Sequence, residues 1–187
     1  MKKTGRIMTL AGQMPKRLFG MELDRDPHTI LEYSNVLDIN RAWRVLDFKA
    51  WIQEDTAQLG FTIPGLIGFD VQLSTDEIPN SNDWNNAGEN RALGWGTFGY
   101  NCMDCTYDLR AGFTGAPRIL MPGDYFMHPD RIVQNKLTIG AAGSGADALV
   151  ENKPGYTMNY IVYLEEVEIS PQESIIYNIK SKAQDIS

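Results

Sequence analysis

The amino-acid sequence predicts an all-β fold, a sandwich or a barrel, followed by one short helix. Short extended runs, rich in apolar and aromatic residues, recur along the chain and are separated by Gly, Pro, Asn and Asp. A helical signal occurs only near the end, so the connecting helices of a parallel α/β sheet are missing from the pattern. Because the chain has 187 residues, we expect one domain with a sizeable core.

Eight extended segments are predicted in order along the chain. They span residues 28–39, 42–52, 60–63, 66–73, 91–100, 117–121, 131–141 and 155–169. In the second segment, strict alternation predicts that Leu46, Phe48, Ala50 and Ile52 lie on one face. A Pro-Gly turn dipeptide separates the third segment from the fourth.

The last segment changes the phase of its alternation. Its apolar residues are even-numbered from Met158 to Leu164 and odd-numbered at Val167 and Ile169. A slip of one residue turns every side chain to the opposite face of a strand. A β-bulge near Glu165–Glu166 would keep both apolar sets inward. The alternative is a separate segment that begins at Val167.

The chain is predicted to end in a helix over residues 170–184. Ser170 can cap it, Pro171 suits its first position, and Glu173 completes a capping box. Three isoleucines then form one apolar stripe: Ile175, Ile176 and Ile179. We expect this stripe to dock, either on its own domain or on a neighbouring copy.

Charge is distributed unevenly along the chain. The first 20 residues contain no acidic residue and five basic ones, Lys2, Lys3, Arg6, Lys16 and Arg17. With these five removed from a total of 17, the remainder has 12 basic against 24 acidic residues. We predict a basic N-terminal arm over residues 1–24 and a single domain over 25–187. The arm either contacts a few phosphates of a nucleic acid or is a solvated, poorly ordered terminus.

Membrane insertion and secretion are not expected. No apolar run reaches the roughly 18–20 residues that a membrane-spanning helix needs. The N-terminus begins like a signal peptide, but Gly5, Arg6, Gly12 and Gln13 interrupt its apolar stretch.

Both cysteines lie in one C-x-x-C motif, Cys102 and Cys105. A structural zinc site needs four ligands, and the chain offers only His28 and His128 besides this pair. A redox pair normally begins a helix, but the residues after Cys105 include two glycines and a proline. We therefore expect two reduced cysteines or a local disulfide, and no metal or other cofactor.

No catalytic residues are predicted. The segment PGDYFMHPD resembles a metal-binding cupin turn at His128, but two histidines cannot complete the usual ligand set. The chain contains no nucleophile elbow and no phosphate-binding loop between a strand and a helix. Glu165 and Glu166 are adjacent and should point to opposite faces, so we interpret them as edge or bulge charges.

The tryptophans suggest a second class of function. Trp43, Trp51 and Trp95 lie in predicted strands and are expected in the core, whereas Trp84 lies in the polar loop SNDWNNAGEN. Trp84 is the candidate for a ligand-binding tip or an intersubunit contact. The alternative function is therefore a carbohydrate-binding, lectin-like domain or a receptor-binding spike or vertex module.

Four stretches resemble the single jelly-roll capsid proteins of small icosahedral viruses, in particular those known from environmental sequences. They are Ala42–Trp51, Glu89–Gly96, Pro129–Ile139 and Met158–Ile179. They fall in the last three-quarters of the chain, and the likeness is one of pattern. The resemblance implies an eight-stranded antiparallel jelly roll, with two facing four-stranded sheets and a short C-terminal helix.

The resemblance also implies a structural viral protein without enzymatic activity. Copies of the chain would assemble into an icosahedral shell around the genome, and other capsid proteins are further expected partners. The virion would form in the host cytoplasm or nucleus. The arm would point inward to viral nucleic acid or exchange between copies. With only five basic residues it departs from the dense Arg/Lys arms of many such proteins, so nucleic-acid contact through it is expected to be weak.

Overall fold

The computed structural model describes residues 1–15, 17–18, 27–32, 40–53, 65–76, 86, 88–102, 119–121, 124–133, 135–145 and 155–182. This part of the chain is mostly β, with two antiparallel sheets and one C-terminal helix. The strands are β1 Lys2–Gln13, β2 Arg17–Leu18, β3 His28–Glu32, β4 Arg41–Gln53, β5 Gly65–Thr75, β6 Ala92–Cys102, β7 Ile119–Met121, β8 Tyr125–Met127, β9 Ile132–Val133, β10 Lys136–Gly145 and β11 Gly155–Glu168. The helix is α1, Pro171–Lys182.

The predicted number of eight strands is wrong. The described residues form eleven strands, and nine remain when the two-residue strands β2 and β9 are set aside. A strand within the first 24 residues, β1, was not predicted, because its many charges concealed its alternation. The predicted segment 60–63 lies outside the described residues.

The strands pair in a nested order. The first sheet has the order β1-β11-β4-β9, with β2 also on β11. The second has the order β3-β10-β5-β6-β7, with β8 also on β6. Four antiparallel pairs are nested in the chain: β1 with β11, β3 with β10, β4 with β9, and β5 with β6.

One core lies between the two sheets. Alternate residues of the longer strands point into it, as the pleat of a strand requires. The first sheet contributes Val45, Phe48, Val162 and Leu164, and the second contributes Val71, Leu73, Leu137 and Ile139, all completely buried.

The two apolar sets of the last strand lie in different clusters, so the predicted bulge that keeps both sets inward is wrong. Met158, Tyr160, Val162 and Leu164 belong to the main core, whereas Val167 and Ile169 pack with Ala42, Ile132 and Tyr177 of α1. β11 continues without a break to Glu168, so the alternative of a separate segment is wrong. Its pairing with β4 shifts between Tyr163 and Leu164, and the residue left over is Leu46 of β4. The strict alternation predicted from Leu46 to Ile52 is therefore interrupted at Leu46, which is half-buried, whereas Val45 is completely buried.

Tyr125 of β8 joins the second sheet to the first. Its hydroxyl donates a hydrogen bond to the carbonyl oxygen of Ala50 at 2.8 Å and accepts one from the amide of Ala50 at 3.0 Å. The hydroxyl thus provides hydrogen-bond partners for the amide and carbonyl of Ala50, which a neighbouring strand would otherwise provide. Its ring packs edge-on against Phe48 at 5.1 Å. A Cβ at Gly96 would lie 2.5 Å from this ring, so the close approach of β8 to β6 requires glycine there.

Candidate docking surface

The helix α1 begins with the predicted capping box. The amide of Ser170 donates to Oε2 of Glu173 at 2.7 Å, and the amide of Glu173 donates to Oγ of Ser170 at 3.2 Å. These bonds hold the pKa of the Glu173 carboxyl below its usual range, and the N-terminal ammonium group of Met1 lies 3.7 Å from Oε1. The start of the helix is therefore fixed by its own sequence.

One face of the helix rests on the domain. Ser174 is buried, and Tyr177 packs against a small apolar cluster at the end of the first sheet. That cluster consists of Ala42, Ile132, Val167 and Ile169. Burial raises the pKa of the Tyr177 hydroxyl, and the nearby carboxylates of Asp130 and Glu173 raise it further.

The opposite face carries the isoleucine stripe. Ile175, Ile176 and Ile179 are 58%, 61% and 62% exposed. Successive helical residues are about 100° apart around the axis, so the three side chains fall within an arc of about 100°. The centre of that arc is opposite Ser174 and Tyr177. The stripe is thus not docked on the domain, and it forms a contiguous apolar surface, which we call the isoleucine face.

A network of charges lies where the first, last and fourth strands meet. Glu165 of β11 accepts a hydrogen bond from Nε of Arg44 at 2.7 Å, and its other oxygen is 3.2 Å from Nζ of Lys3. Its neighbour Glu166 lies 3.5 Å from guanidinium nitrogens of both Arg6 and Arg41. Each glutamate is therefore neutralised from both sides of its strand.

Both glutamates are buried, and the partners of Glu165 decide the direction of its pKa shift. Burial raises the pKa of the Glu165 carboxyl, but hydrogen bonds from Arg44 and Lys3 outweigh burial and hold the pKa below its usual range. The interpretation of the pair as edge or bulge charges is wrong, because β11 lies between β1 and β4 and the extra residues of both bulges belong to those neighbours. Sequence reasoning also did not identify the cationic partners of the pair. Those partners come from strands that are distant in the sequence, and only the cross-strand register brings them together.

The predicted basic arm contains two of these partners. Lys3 and Arg6, proposed from the sequence as contacts to nucleic acid, form ion pairs with the chain's own carboxylates. Lys2 is exposed at the start of β1. The prediction for Lys16 lies outside the described residues, and Arg17 is described only as part of β2. The segment Lys2–Gln13 is a strand of the first sheet.

A separate, buried ion pair was also missed by sequence reasoning. Glu89 and Arg91 are both buried, and two guanidinium nitrogens of Arg91 contact the Glu89 carboxylate at 2.9 and 3.0 Å. The Arg91 amide donates to the same carboxylate at 2.9 Å. The amide of Thr75 donates to the carbonyl of Arg91 at 2.8 Å, which ties this turn to β5. The pair fixes the entry into β6.

The observed burial of the tryptophan side chains differs from the prediction. Trp51 is 42% exposed, so its assignment to the core is wrong, because its neighbours Ala50 and Ile52 occupy the inward positions of β4. Trp43 and Trp95 are half-buried. Trp84, the predicted binding tip, lies outside the described residues.

The remaining predicted motifs contribute no site among the described residues. Cys102 ends β6, whereas Cys105 lies outside the described part of the chain. The described residues contain no group of three His, Cys, Asp or Glu side chains arranged to hold a metal ion. In the same part of the chain, no helix has the length and apolar character needed to cross a membrane.

No protein-family model matches the chain, and no curated protein sequence matches it significantly. The strand order, the isoleucine face and the charge network are therefore the observations on which a function can be proposed.

Proposed function

We propose that this chain is a viral capsid protein of the single jelly-roll type, which assembles with copies of itself into an icosahedral shell around a nucleic acid. The observation that carries this proposal is the nested order of strand pairs. A jelly roll is a long antiparallel hairpin of eight strands wrapped into two sheets. In such a hairpin the first strand pairs with the eighth, the second with the seventh, the third with the sixth and the fourth with the fifth.

Eight of the described strands fit this scheme. Taken in chain order they are β1, β3, β4, β5, β6, β9, β10 and β11. All four of the required pairs are present and antiparallel. The pairs of β11 with β4 and of β10 with β5 then assemble four of these strands into each sheet. The strands β2, β7 and β8 are additions to the edges of this framework.

Exposed apolar side chains support self-assembly. The isoleucine face is a contiguous exposed apolar surface. Such surfaces are typical of sites that another protein covers. Each shell protein makes several contacts of modest area with its neighbours. The large total number of these contacts stabilises the closed particle.

The role of nucleic acid in this proposal is secondary. Lys3 and Arg6 already neutralise Glu165 and Glu166, so phosphates would have to compete with these carboxylates. We propose that contacts between protein copies drive assembly and that the genome binds weakly through the remaining basic residues near the N-terminus. Because few basic residues of the chain would face the genome, other counterions would neutralise most of its phosphates. Assembly would take place in the infected cell before release of the virion.

Light scattering coupled to size-exclusion chromatography tests the proposed function. The purified full chain should elute as a species of megadalton mass, whereas a monomer has a mass of 21.0 kDa. Absorbance at 260 and 280 nm, recorded on the same peak, reports whether nucleic acid is enclosed. A chain that remains a monomer at every protein and salt concentration would contradict self-assembly.

Carbohydrate binding is a second candidate, and a different surface favours it. Trp51 lies beside Asn159 in the cross-strand register, and Oδ1 of Asn159 accepts a hydrogen bond from Nε2 of Gln13 at 3.3 Å. An exposed aromatic ring with adjacent amides can stack on a sugar and hydrogen-bond its hydroxyls. Glycan-array binding that Trp51→Ala abolishes would support this function, and an array without signal would contradict it.

A further inference from the structure

We propose that the isoleucine face is a two-fold contact, in which the helix α1 of one copy packs antiparallel against α1 of a second copy. This inference rests on the proposed function, since it names one contact of a self-assembling chain. Its starting point is the orientation of the helix. Ser174 and Tyr177 hold one face on the domain, and the isoleucines at 175, 176 and 179 are therefore directed away from it.

The stripe is complementary to itself about a two-fold axis. An axis that passes near residues 176–177 sets Ile175 of one helix against Ile179 of the second copy, and the reverse contact follows by symmetry. Ile176 lies close to the axis in both copies. Apolar residues spaced by four positions are those through which two helices pack. The second copy therefore offers a surface of the same size and chemistry.

Charge at the rim of the stripe selects the antiparallel arrangement. Glu173 and Lys180 are seven residues apart, about two turns, so their positions lie on the same side of the helix, next to Ile176. About the same two-fold axis, Glu173 comes opposite position 180 of the second copy. A parallel pair would instead bring Glu173 near Glu173 and Lys180 near Lys180. The antiparallel pair also aligns the helix dipoles favourably.

The size of the contact fits a shell better than an isolated dimer. The exposed parts of three isoleucines amount to on the order of 300 Å² per copy, against about 800 Å² per partner in a stable complex. The helix pair alone should therefore associate weakly. It would become stable where other contacts hold the copies at high local concentration, as they do in a closed particle.

Sedimentation velocity over a range of protein concentrations tests the contact on the full chain. The variant Ile176→Gln/Ile179→Gln keeps good helix formers on the exposed face and removes its apolar character. We expect its self-association to be at least tenfold weaker than that of the wild type, with an unchanged unfolding midpoint. The control is Tyr163→Gln, which removes an exposed aromatic side chain from the outer face of β11 and should associate like the wild type. Equal association of wild type and double variant would overturn the proposal.

Cross-linking tests the direction of the helices independently. In a background with Cys102→Ser and Cys105→Ser, chains carrying Ile175→Cys are mixed with chains carrying Ile179→Cys under mild oxidation. The antiparallel contact predicts that the mixed disulfide dimer forms faster than either dimer of identical chains. Faster formation of the identical-chain dimers would overturn it.

The outcomes for the contact and for the shell are distinguishable. A shell that assembles normally from the Ile176→Gln/Ile179→Gln variant would overturn the two-fold contact and leave the proposed function standing. A wild-type chain that forms antiparallel helix dimers and no larger species would support the contact and contradict the shell.

Discussion

The ammonium nitrogen of Lys3 lies 3.2 Å from Oε2 of Glu165, across the pairing of the first strand with the last. The same arrangement recurs next to it, where Arg6 lies 3.5 Å from Glu166. The uneven charge of the chain is thus compensated inside the domain, because a basic strand lies along an acidic stretch of β11. Since β1 is an edge strand, these ion pairs also help to set its register against β11.

Acid should weaken the domain through Glu165. Its pKa is lowered in the folded state, so the stability it contributes is present above its unfolded pKa of about 4.3 and is lost as the pH falls through the folded value. At pH 7 we expect Glu165→Gln to lower the free energy of unfolding by on the order of 1 kcal/mol, because Lys3 is largely exposed and solvent screens it. Urea denaturation of both proteins measures the difference, which should shrink towards pH 3. A difference that grows towards pH 3 would refute this role of the carboxylate.

Deletion of residues 1–13 should destabilise the fold itself. It removes β1, whose residues Met8 and Leu10 pack on the main core, and it leaves the edge of β11 unpaired. We expect aggregation, or a thermal midpoint lower by at least 10 °C, which corresponds to about 2.5 kcal/mol or more in a domain of this size. The matched control is Lys3→Gln/Arg6→Gln, which keeps the strand and should remain folded and soluble. A truncated chain as stable as the full chain would show that β1 is dispensable.

The hydroxyl of Tyr125 should contribute measurably to the stability of the domain. Tyr125→Phe leaves the amide and the carbonyl of Ala50 without their partner, which should cost about 1–3 kcal/mol of unfolding free energy. Tyr163→Phe is the control, because Tyr163 is exposed on the outer face of β11 and the change should cost less than about 0.5 kcal/mol. Chemical denaturation compares the two, and equal effects would argue against the bridge between the sheets.

The cap of α1 should stabilise the helix by a modest amount. Ser170→Ala removes the acceptor for the Glu173 amide and should lower the free energy of unfolding by about 1 kcal/mol. Ser170→Asn, which can also cap, should retain most of the wild-type stability. An unchanged denaturation midpoint in Ser170→Ala, measured for monomer and assembly alike, would count against the cap.

Local signals in the sequence predicted local structure correctly. The capping box of Ser170 and Glu173 forms as expected, because both of its hydrogen bonds lie within four consecutive residues. The phase change in β11 was also visible, since alternation is a property of one strand. Its structural solution was not visible, because Val167 and Ile169 pack with Tyr177 of α1 in a cluster separate from the main core.

Features that depend on distant pairing could not be predicted from the sequence. Lys3 was assigned to an arm because nothing local shows that Glu165 will lie beside it. Trp51 was assigned to the core because an aromatic residue in a strand is usually buried, whereas the register placed Ala50 inward. The sequence predicted that three isoleucines share one side of the helix, but it did not show which way that side faces. The packing of Tyr177 on the domain directs the isoleucines outward.

Electron cryomicroscopy of the purified full chain tests the proposed self-assembly most directly. We predict closed shells with icosahedral symmetry, whose subunits are two-sheet sandwiches and whose two-fold contacts include paired α1 helices. Particles without closed symmetry, or only isolated 21.0 kDa subunits under every assembly condition, would contradict the proposal that this chain builds a shell.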